Sequence, residues 1–518
     1  MRCKMLPPPR RLRVFVLAAL LLAVISWYYL DLDLELDLPL LRDRLPLHGG
    51  KSHPSASSSP SSSFSASPST SPSPSPSPTE PPGASISLEP SSSAPTTASS
   101  TLPFTSPSDV LLIFKTGAST FWRRMPLHLT TTLSNSRVPN YVIYSDLAEQ
   151  LALDVESVDV LANVSDILRT WDASAHASYQ DLHSSHHLNT YREHALLPGD
   201  EPQSTLAGNP PGWLLDKYKF LPMLTHAQKN WPAVKWYVYI EDDTFIFWDN
   251  VLRWLSTLSP DDEPEYWGAY SGEGNATFAQ GGSGIVFSRS LMRSVFAGPN
   301  PPDLVRYGNY SASACCGDII LGQVLRDHGV FVNRGDYGPV SFRPEPPWKT
   351  GFDKLMWCAP VFSFHHLHQR DLVQLSLLER AHTSTQRPIL FRDIFTALIA
   401  PSLHTPQLSH WDNFASRYLL GASHPSTSSL PAELHPLNPS AGDSPPACRA
   451  ACLALPLCLS WRHDSNAAQC ALDTVVRLGR ERDPLPAWAP PTEIVSGWML
   501  ERIDEELGRD ECTVVSEP

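Results

Sequence analysis

The chain has 518 residues, a formal net charge of −14 at pH 7 and 51 prolines. Its length predicts two or three folded units, and the high proline content predicts linkers between them. The acidic balance excludes a nucleic-acid partner, because binding to phosphates needs clustered lysines and arginines.

The N-terminus has the features of a membrane anchor. A basic segment over 1–13 precedes an uncharged apolar run over 14–30, which is at the short end for a spanning helix. The basic flank predicts a cytosolic tail and a lumenal C-terminal part, as in a single-pass type II protein of the Golgi or ER membrane. The alternative is a cleaved signal peptide, but no small-residue cleavage site follows Ser26.

Residues 31–108 are predicted to form a disordered stem, because a segment of mainly Ser, Pro, Thr and Ala buries too little apolar surface to fold. Of the nine cysteines, Cys3 lies on the predicted cytosolic side, and the even number that remains suits disulfides in an oxidising lumen. Sequons at Asn163, Asn275 and Asn309 are compatible with a glycoprotein of that compartment.

From residue 109 to residue 405 the pattern predicts one α/β domain. Strand, helix and strand follow one another, which is the order of a unit with a parallel sheet. Residues 171–212 are rich in polar residues and proline, and are expected to form a long surface insertion. The predicted strands are 110–114, 141–144 and 236–240, and the predicted helices are 123–133, 214–228 and 251–258.

Three consecutive acids, Glu241, Asp242 and Asp243, directly follow the third predicted strand. In open α/β sheets, ligands bind beyond the carboxyl ends of the strands. Adjacent carboxylates there repel one another unless a cation lies between them, and oxygen ligands favour Mg²⁺ or Mn²⁺. The alternative is a solvated acidic turn. Further along, Gly282 and Gly284 lie in a glycine-rich turn that either lets the backbone approach a ligand or is a plain tight turn.

Two later motifs also carry chemistry. Asp318 begins an amphipathic stretch, where it is either a functional carboxylate or a helix N-cap. His365, His366 and His368 follow an apolar run and can supply a nitrogen ligand to a metal. Zinc is a competing interpretation, although no Cys or His pair at zinc-finger spacing accompanies these histidines.

Taken in this order, the motifs resemble the Fringe-like and core 1 galactosyltransferase-like branch of glycosyltransferase family 31. The resemblance extends from residue 109 to residue 371 and so covers nearly all of the predicted α/β domain. The similar blocks are 113–116, 121–124, 130–132, 235–245, 278–284, 317–322 and 363–366.

The resemblance implies a GT-A glycosyltransferase fold, Mn²⁺ and a UDP-sugar donor. It implies inverting transfer of a hexose or N-acetylhexosamine to a glycan or glycoprotein acceptor in β linkage. Asp243, Asp242 and His365 would hold the metal, with His366 as the alternative histidine, and Asp318 would be the general base. Where many relatives have aspartate the chain has Glu241. The residues that would contact the nucleotide sugar are Glu241, Asp146, Lys115, Thr116, Gly282 and Gly284.

A second proline- and serine-rich segment over 406–445 predicts a linker, and a small cysteine-rich unit follows over 446–505. This unit resembles a PAN/apple module, in which disulfides join a helix to a small sheet. The resemblance implies the pairs Cys448–Cys470 and Cys452–Cys458, among the three connectivities that four cysteines allow. Such a module either recruits a substrate or is a structural cap. Cys316–Cys358 is a further plausible bridge, which leaves Cys315 and Cys512 unassigned.

Three functions compete on this sequence. The first is an active glycosyltransferase, and the second is a catalytically dead, membrane-tethered protein that binds carbohydrate or protein. The third is a metal-dependent hydrolase that uses the same acids. Asp242, Asp243, Asp318 and His365 favour the first, because a dead domain is free to lose them.

Overall fold

The computed structural model describes residues 104–187, 211–272, 276–335, 338–382, 387–421, 429–482 and 493–508, together with Cys512. The predicted tail and anchor over 1–30 and the predicted stem up to residue 103 lie outside these residues. No helix in the described ranges is long and apolar enough to cross a membrane. All described residues belong to one compact unit, Thr96–Pro518.

The N-terminal part is built on a sheet whose strands alternate with helices. Its strands are β1 (Val110–Lys115), β2 (Tyr141–Ser145), β3 (Gln150–Ala152), β4 (Val155–Asp159), β5 (Trp236–Glu241), β6 (Phe245–Ile246), β7 (Tyr266–Gly268), β8 (Tyr270–Ser271), β9 (Phe278–Ala279), β10 (Ile285–Ser288), β11 (Phe342–Arg343) and β12 (Ser363–Phe364). Seven of them form a sheet in the order β3-β4-β2-β1-β5-β10-β7. The four strands from β4 to β5 are parallel, and the outer strands are antiparallel. The prediction of a mixed α/β fold with parallel central strands is therefore confirmed.

The three predicted strands correspond to β1, β2 and β5, and the central ones are buried on both faces. Leu111 and Ile113 of β1 pack into one apolar cluster, whereas Leu112 and Phe114 pack into a second. Successive side chains of a strand point to opposite faces, so helices cover both faces of the sheet. This double burial explains why these strands form continuous apolar runs in the sequence.

The helices of this part differ from the predicted bounds where contacts with distant residues determine where a helix begins or ends. The predicted helix 123–133 begins earlier, at Ala118, because its first N–H donates to Asp146, which directly follows β2. The predicted helix 214–228 is divided at Lys219, and the predicted insertion 171–212 contains a helix. The helices are α1 (Ala118–Thr130), α2 (Ser165–Trp171), α3 (Ala173–His187), α4 (Pro211–Asp216), α5 (Phe220–Asn230), α6 (Trp248–Leu255), α7 (Arg289–Phe296), α8 (Leu304–Ser313), α9 (Gly317–Asp327), α10 (Gly338–Ser341), α11 (Gln369–His382) and α12 (Phe391–Ile394).

The C-terminal part contains a five-stranded antiparallel sheet with a helix packed on it. The strands are β13 (Gln407–Ser409), β14 (Trp411–Asp412), β15 (Tyr418–Leu420), β16 (Ser460–Asp464), β17 (Gln469–Asp473), β18 (Arg480–Glu481) and β19 (Ile494–Trp498), and the helices are α13 (Asn438–Ala441), α14 (Pro445–Ala454) and α15 (Leu500–Leu507). The sheet order is β13-β19-β16-β17-β15. The segment predicted as a linker over 406–445 thus supplies two strands of this sheet, because β13 pairs with β19 and β15 with β17.

The disulfides confirm two predicted pairs and correct a third. Cys448–Cys470 joins α14 to β17, and Cys452–Cys458 joins α14 to the turn before β16. The predicted bridge Cys316–Cys358 is wrong. Cys316 pairs with its neighbour Cys315, whereas Cys358 pairs with Cys512, because the chain after α15 returns to the N-terminal part.

The two parts share one hydrophobic core. Phe245 of β6 and Phe364 of β12 belong to the same buried cluster as Trp498 and Ile503 of the C-terminal part. A pair of backbone hydrogen bonds of 2.8 and 2.9 Å also joins Phe352 to Val476. The C-terminal part therefore packs into the main fold.

Candidate metal and active site

The predicted site residues meet at the carboxyl ends of three neighbouring parallel strands. Lys115 ends β1 and lies in register with Glu241, which ends β5. Asp146 directly follows β2 on the other side of β1. Parallel strands of an open sheet place their carboxyl ends at one edge, which is where such folds bind ligands. The edge therefore collects Asp146, Lys115 and Glu241 from distant parts of the chain.

Asp242 is held by one face of helix α1 and by Thr116, which lies two residues before the helix begins. Its Oδ2 accepts hydrogen bonds from Thr116 Oγ1 at 2.6 Å and Thr120 Oγ1 at 2.5 Å. Its Oδ1 accepts from Arg124 Nη1 at 2.7 Å, and its backbone carbonyl lies 2.9 Å from His128 Nε2. These four residues follow at four-residue spacing, which puts them on one side of a helix. Both carboxylate oxygens of Asp242 are thus engaged by the protein.

A small second sheet brings Asp243 to the histidines. β12 runs antiparallel to β6, with Phe364 opposite Phe245. His365 directly follows β12, and Asp243 lies two residues before β6, so both lie at the same end of this strand pair. Leu367 N donates to Asp243 O at 3.0 Å. The sequence indicated the acidic motif and the histidine motif separately. Their close approach depends on β6 and β12, which have only two residues each.

Asp243, His365 and His366 form a group that could hold a metal ion. Each offers a ligand atom within 4.8 Å of the others, and the first two side chains are buried. His365 Nε2 lies 3.1 Å from Asp243 Oδ1, and His366 Nδ1 lies 3.8 Å from Asp243 Oδ2. His368 lies outside this group, and its backbone N donates to Asp371.

The chemistry of this group fits a divalent cation. Asp243 Oδ1 and His366 Nδ1 are buried, and apart from the ion-pair contacts within the group neither makes a hydrogen bond in the described structure, although buried polar atoms are ordinarily paired. His366 also has a positive φ of 57°, which is uncommon for a residue with a side chain and clusters at ligand sites. Two imidazoles and one carboxylate suit a transition metal of borderline softness better than a cation that prefers oxygen ligands only. The same donors do not single out manganese.

Charges within the group stabilise its ion pair. Although burial alone would raise the pKa of Asp243, His365 and Arg124 hold that pKa well below its usual range. Burial also opposes a charge on His365, yet Asp243 and Glu241 raise the pKa of this imidazole above its usual value. Asp243 is therefore an anion, and the neighbouring carboxylates stabilise a proton on His365.

The glycine-rich turn lies directly against the group. A side chain at Gly282 would put its Cβ 1.9 Å from His365 Cε1, so only glycine fits at this position. The carbonyl of Gly282 accepts from Thr244 Oγ1 at 2.6 Å, which joins the turn to the acidic segment. Gly284 has a φ of +101°, a conformation that favours glycine.

Asp318 lies on the other side of the same turn, near the start of α9. Its Oδ2 accepts a hydrogen bond of 2.9 Å from Gly281 N. Burial raises the pKa of Asp318, and the nearby Glu241 adds to the rise, whereas the Gly281 N–H opposes it. A carboxylate with a raised pKa beside a candidate metal site can accept a proton more readily than a solvated one. The N-cap alternative does not describe Asp318, because Cys316 occupies the N-cap position.

A row of alternating charges continues along the edge. Lys115 contacts Asp216 and lies 3.0 Å from Glu241 Oε1. Although burial alone would lower the pKa of Lys115, these two carboxylates raise it above its usual range. Next to them, Lys219 Nζ lies 2.9 Å from Asp146 Oδ2. Lys115, Lys219 and Asp146 are buried, and these ion pairs supply the partners for their charges.

The predicted site residues thus fall into two sets. Four of them, Asp243, His365, Glu241 and Asp318, surround the turn that contains Gly282 and Gly284. The others hold neighbouring side chains and backbone, and they are Lys115, Asp242, Asp146 and Thr116. Asp146, which is completely buried, binds the first N–H of α1 and Lys219. Sequence reasoning missed Arg124 and Lys219. The polar residues at four-residue spacing in α1 were a signal for Arg124, but Lys219 left none.

A scan against models of known protein families found no match, and a search of curated proteins found none either. The chemistry of the site is therefore inferred from its own residues.

Proposed function

We propose that this chain is a metal-dependent glycosyltransferase with a GT-A type fold, which transfers a sugar from a UDP-sugar to an acceptor hydroxyl. One observation carries the proposal. The two-residue turn Gly281–Gly282 touches the candidate metal group through His365 and the carboxylate Asp318 through its backbone N–H. A cation site and a base with a raised pKa thus lie side by side, which is the arrangement that sugar transfer from a nucleoside diphosphate needs.

Asp243, His365 and His366 would hold the metal, which supplies charge neutralisation for the departing diphosphate. Asp318 accepts the proton of the acceptor hydroxyl as the new C–O bond forms at the anomeric carbon and the bond to the phosphate oxygen breaks. Attack from the side opposite the phosphate inverts the anomeric centre. Gly281 and Gly282 have no side chains, so the metal ligand His365 and the base Asp318 can both approach the same turn.

Other features remain proposals that rest on the sequence resemblance. They are Mn²⁺ as the metal, a hexose or N-acetylhexosamine as the transferred sugar, a β-linked product and a type II orientation in the Golgi or ER membrane. The C-terminal part is proposed to be of the PAN/apple type. Its shared core with the N-terminal part favours a structural contribution over a separable recruiting module.

The test is ligand binding and turnover by the purified full chain. We expect UDP and one of a panel of UDP-sugars to bind with Mn²⁺ but not with a chelator, and UDP to be released in the presence of an acceptor. Asp243→Asn should abolish both, whereas Asp261→Asn should not, because Asp261 pairs with Arg289 away from this edge.

A folded chain that binds neither UDP nor any UDP-sugar with Mn²⁺ would overturn the proposal. That result would favour the membrane-tethered binding protein. Release of free sugar at an equal rate with and without acceptor would instead favour the hydrolase.

A further inference from the structure

Arg124 contacts both acids that follow β5. Its Nη1 lies 2.7 Å from Asp242 Oδ1 and 3.4 Å from Asp243 Oδ2. Its side chain is 17% exposed, so it is partly accessible to solvent. Asp242 is itself fixed by Thr116 and Thr120, and this contact holds Arg124 in place beside Asp243.

The position of Arg124 affects the charge that a metal meets. Histidine ligands bind a metal as neutral imidazoles, so the group of Asp243, His365 and His366 offers one negative charge. The guanidinium places one positive charge 3.4 Å from a carboxylate oxygen of that group. The guanidinium also pairs with Asp242, so these two acids and Arg124 together carry one negative charge, and Arg124 weakens the attraction of the group for a cation alone. At such distances a unit charge changes binding by about tenfold or more.

A bound diphosphate reverses the effect of Arg124 on cation binding. Its oxygens carry negative charge, and arginine binds phosphate oxygens through charge-assisted hydrogen bonds. An anion placed beside the metal group is attracted by the metal and by Arg124 together. The residue that opposes the cation alone thus favours the cation when it arrives with a diphosphate.

We propose that Arg124 is a positioning residue that makes tight metal binding depend on the diphosphate of the donor. The inference rests on the proposed function, since it assigns a nucleoside diphosphate to the same site. It predicts positive coupling between metal and diphosphate, and coupling of this kind is reciprocal.

The experiment is a binding cycle on the full chain by titration calorimetry. Mn²⁺ affinity is measured alone, with UDP and with inorganic diphosphate. In Arg124→Gln we expect Mn²⁺ alone to bind about tenfold tighter or more, and the enhancement by either anion to fall by a similar factor. Arg124→Lys should restore coupling, because it keeps the charge. Lys235→Gln is the control, since this lysine pairs with Asp109 at the opposite end of β5.

The outcomes separate the two proposals. Weaker or unchanged Mn²⁺ binding in Arg124→Gln, with a wild type that binds Mn²⁺ and UDP, would overturn the role of Arg124 and leave the transferase proposal standing. That outcome is what a purely structural arginine predicts. Absence of UDP binding in the wild type would instead overturn the proposed function.

Discussion

The substitution Gly282→Ala tests the metal group without removing any of its ligands. The new Cβ would lie 1.9, 2.2 and 2.3 Å from Cε1, Nε2 and Nδ1 of His365. Ordinary contact begins at 3.4 Å, so the ring must retreat by about 1.5 Å. His365 is buried, and the structure around it has no space for that displacement at low cost.

Two quantities should change. Metal ligands tolerate displacements of about 0.2 Å, so we expect Mn²⁺ affinity to fall by about 100-fold or more. Overpacking of a buried site should lower the free energy of unfolding by about 1–3 kcal/mol. Calorimetric titration with Mn²⁺ measures the first quantity, and denaturant unfolding in the presence of a chelator measures the second.

A double variant shows whether the clash with His365 is the cause. Adding His365→Ala removes the ring that the new methyl group meets, so Gly282→Ala should then cost much less stability than in the wild type. Wild-type Mn²⁺ affinity in Gly282→Ala would refute the reasoning. An equal stability cost in both backgrounds would place the clash elsewhere.

Three further expectations follow from described contacts. Asp318→Asn should abolish transfer while UDP and Mn²⁺ still bind. Because the pKa of Asp318 is raised and its anion is the active form, wild-type activity should fall as pH decreases through an apparent pKa above the usual aspartate value, as a pH–rate profile would show; a flat profile would argue against this base. Thr120→Val removes a half-buried donor to the buried Asp242 and should cost about 1–3 kcal/mol in denaturant unfolding, whereas the exposed Thr130→Val should cost little; equal costs would contradict the assigned role. Removing the Cys358–Cys512 bridge with Cys358→Ser and Cys512→Ser should cost about 5 kcal/mol, because it closes a loop of 154 residues, whereas loss of Cys452–Cys458, six residues apart, should cost less; the reverse order in unfolding experiments would show that chain entropy does not dominate.

The central strands could be predicted because strands that are buried on both faces have apolar residues at consecutive positions. Val110 to Phe114 and Trp236 to Ile240 are apolar throughout, as strands covered on both faces must be. The acids after β5 and the histidines after β12 could also be identified, since each follows such a run directly. Their close approach could not, because β6 and β12 have two residues each and therefore no periodicity to detect.

The C-terminal boundary was mispredicted for a related reason. β13 and β15 have three residues each and lie in a segment rich in proline and serine, so composition alone indicated a linker. Their strand character comes from pairing with β19 and β17, which are far away in the sequence. The partner of Cys358 was equally hidden, since it depends on where the chain after α15 packs.

The shared core has a consequence for how the protein is made. Val476 forms backbone hydrogen bonds with Phe352, whose ring centroid is 6.4 Å from that of Phe391. The ring centroid of Phe391 lies 6.3 Å from that of Phe364, the neighbour of His365. A ribosome that has released the chain as far as residue 405 has delivered every proposed metal ligand but not the residues that close this core. The packing around His365 is therefore complete only after the C-terminal part has been synthesised and has joined this cluster.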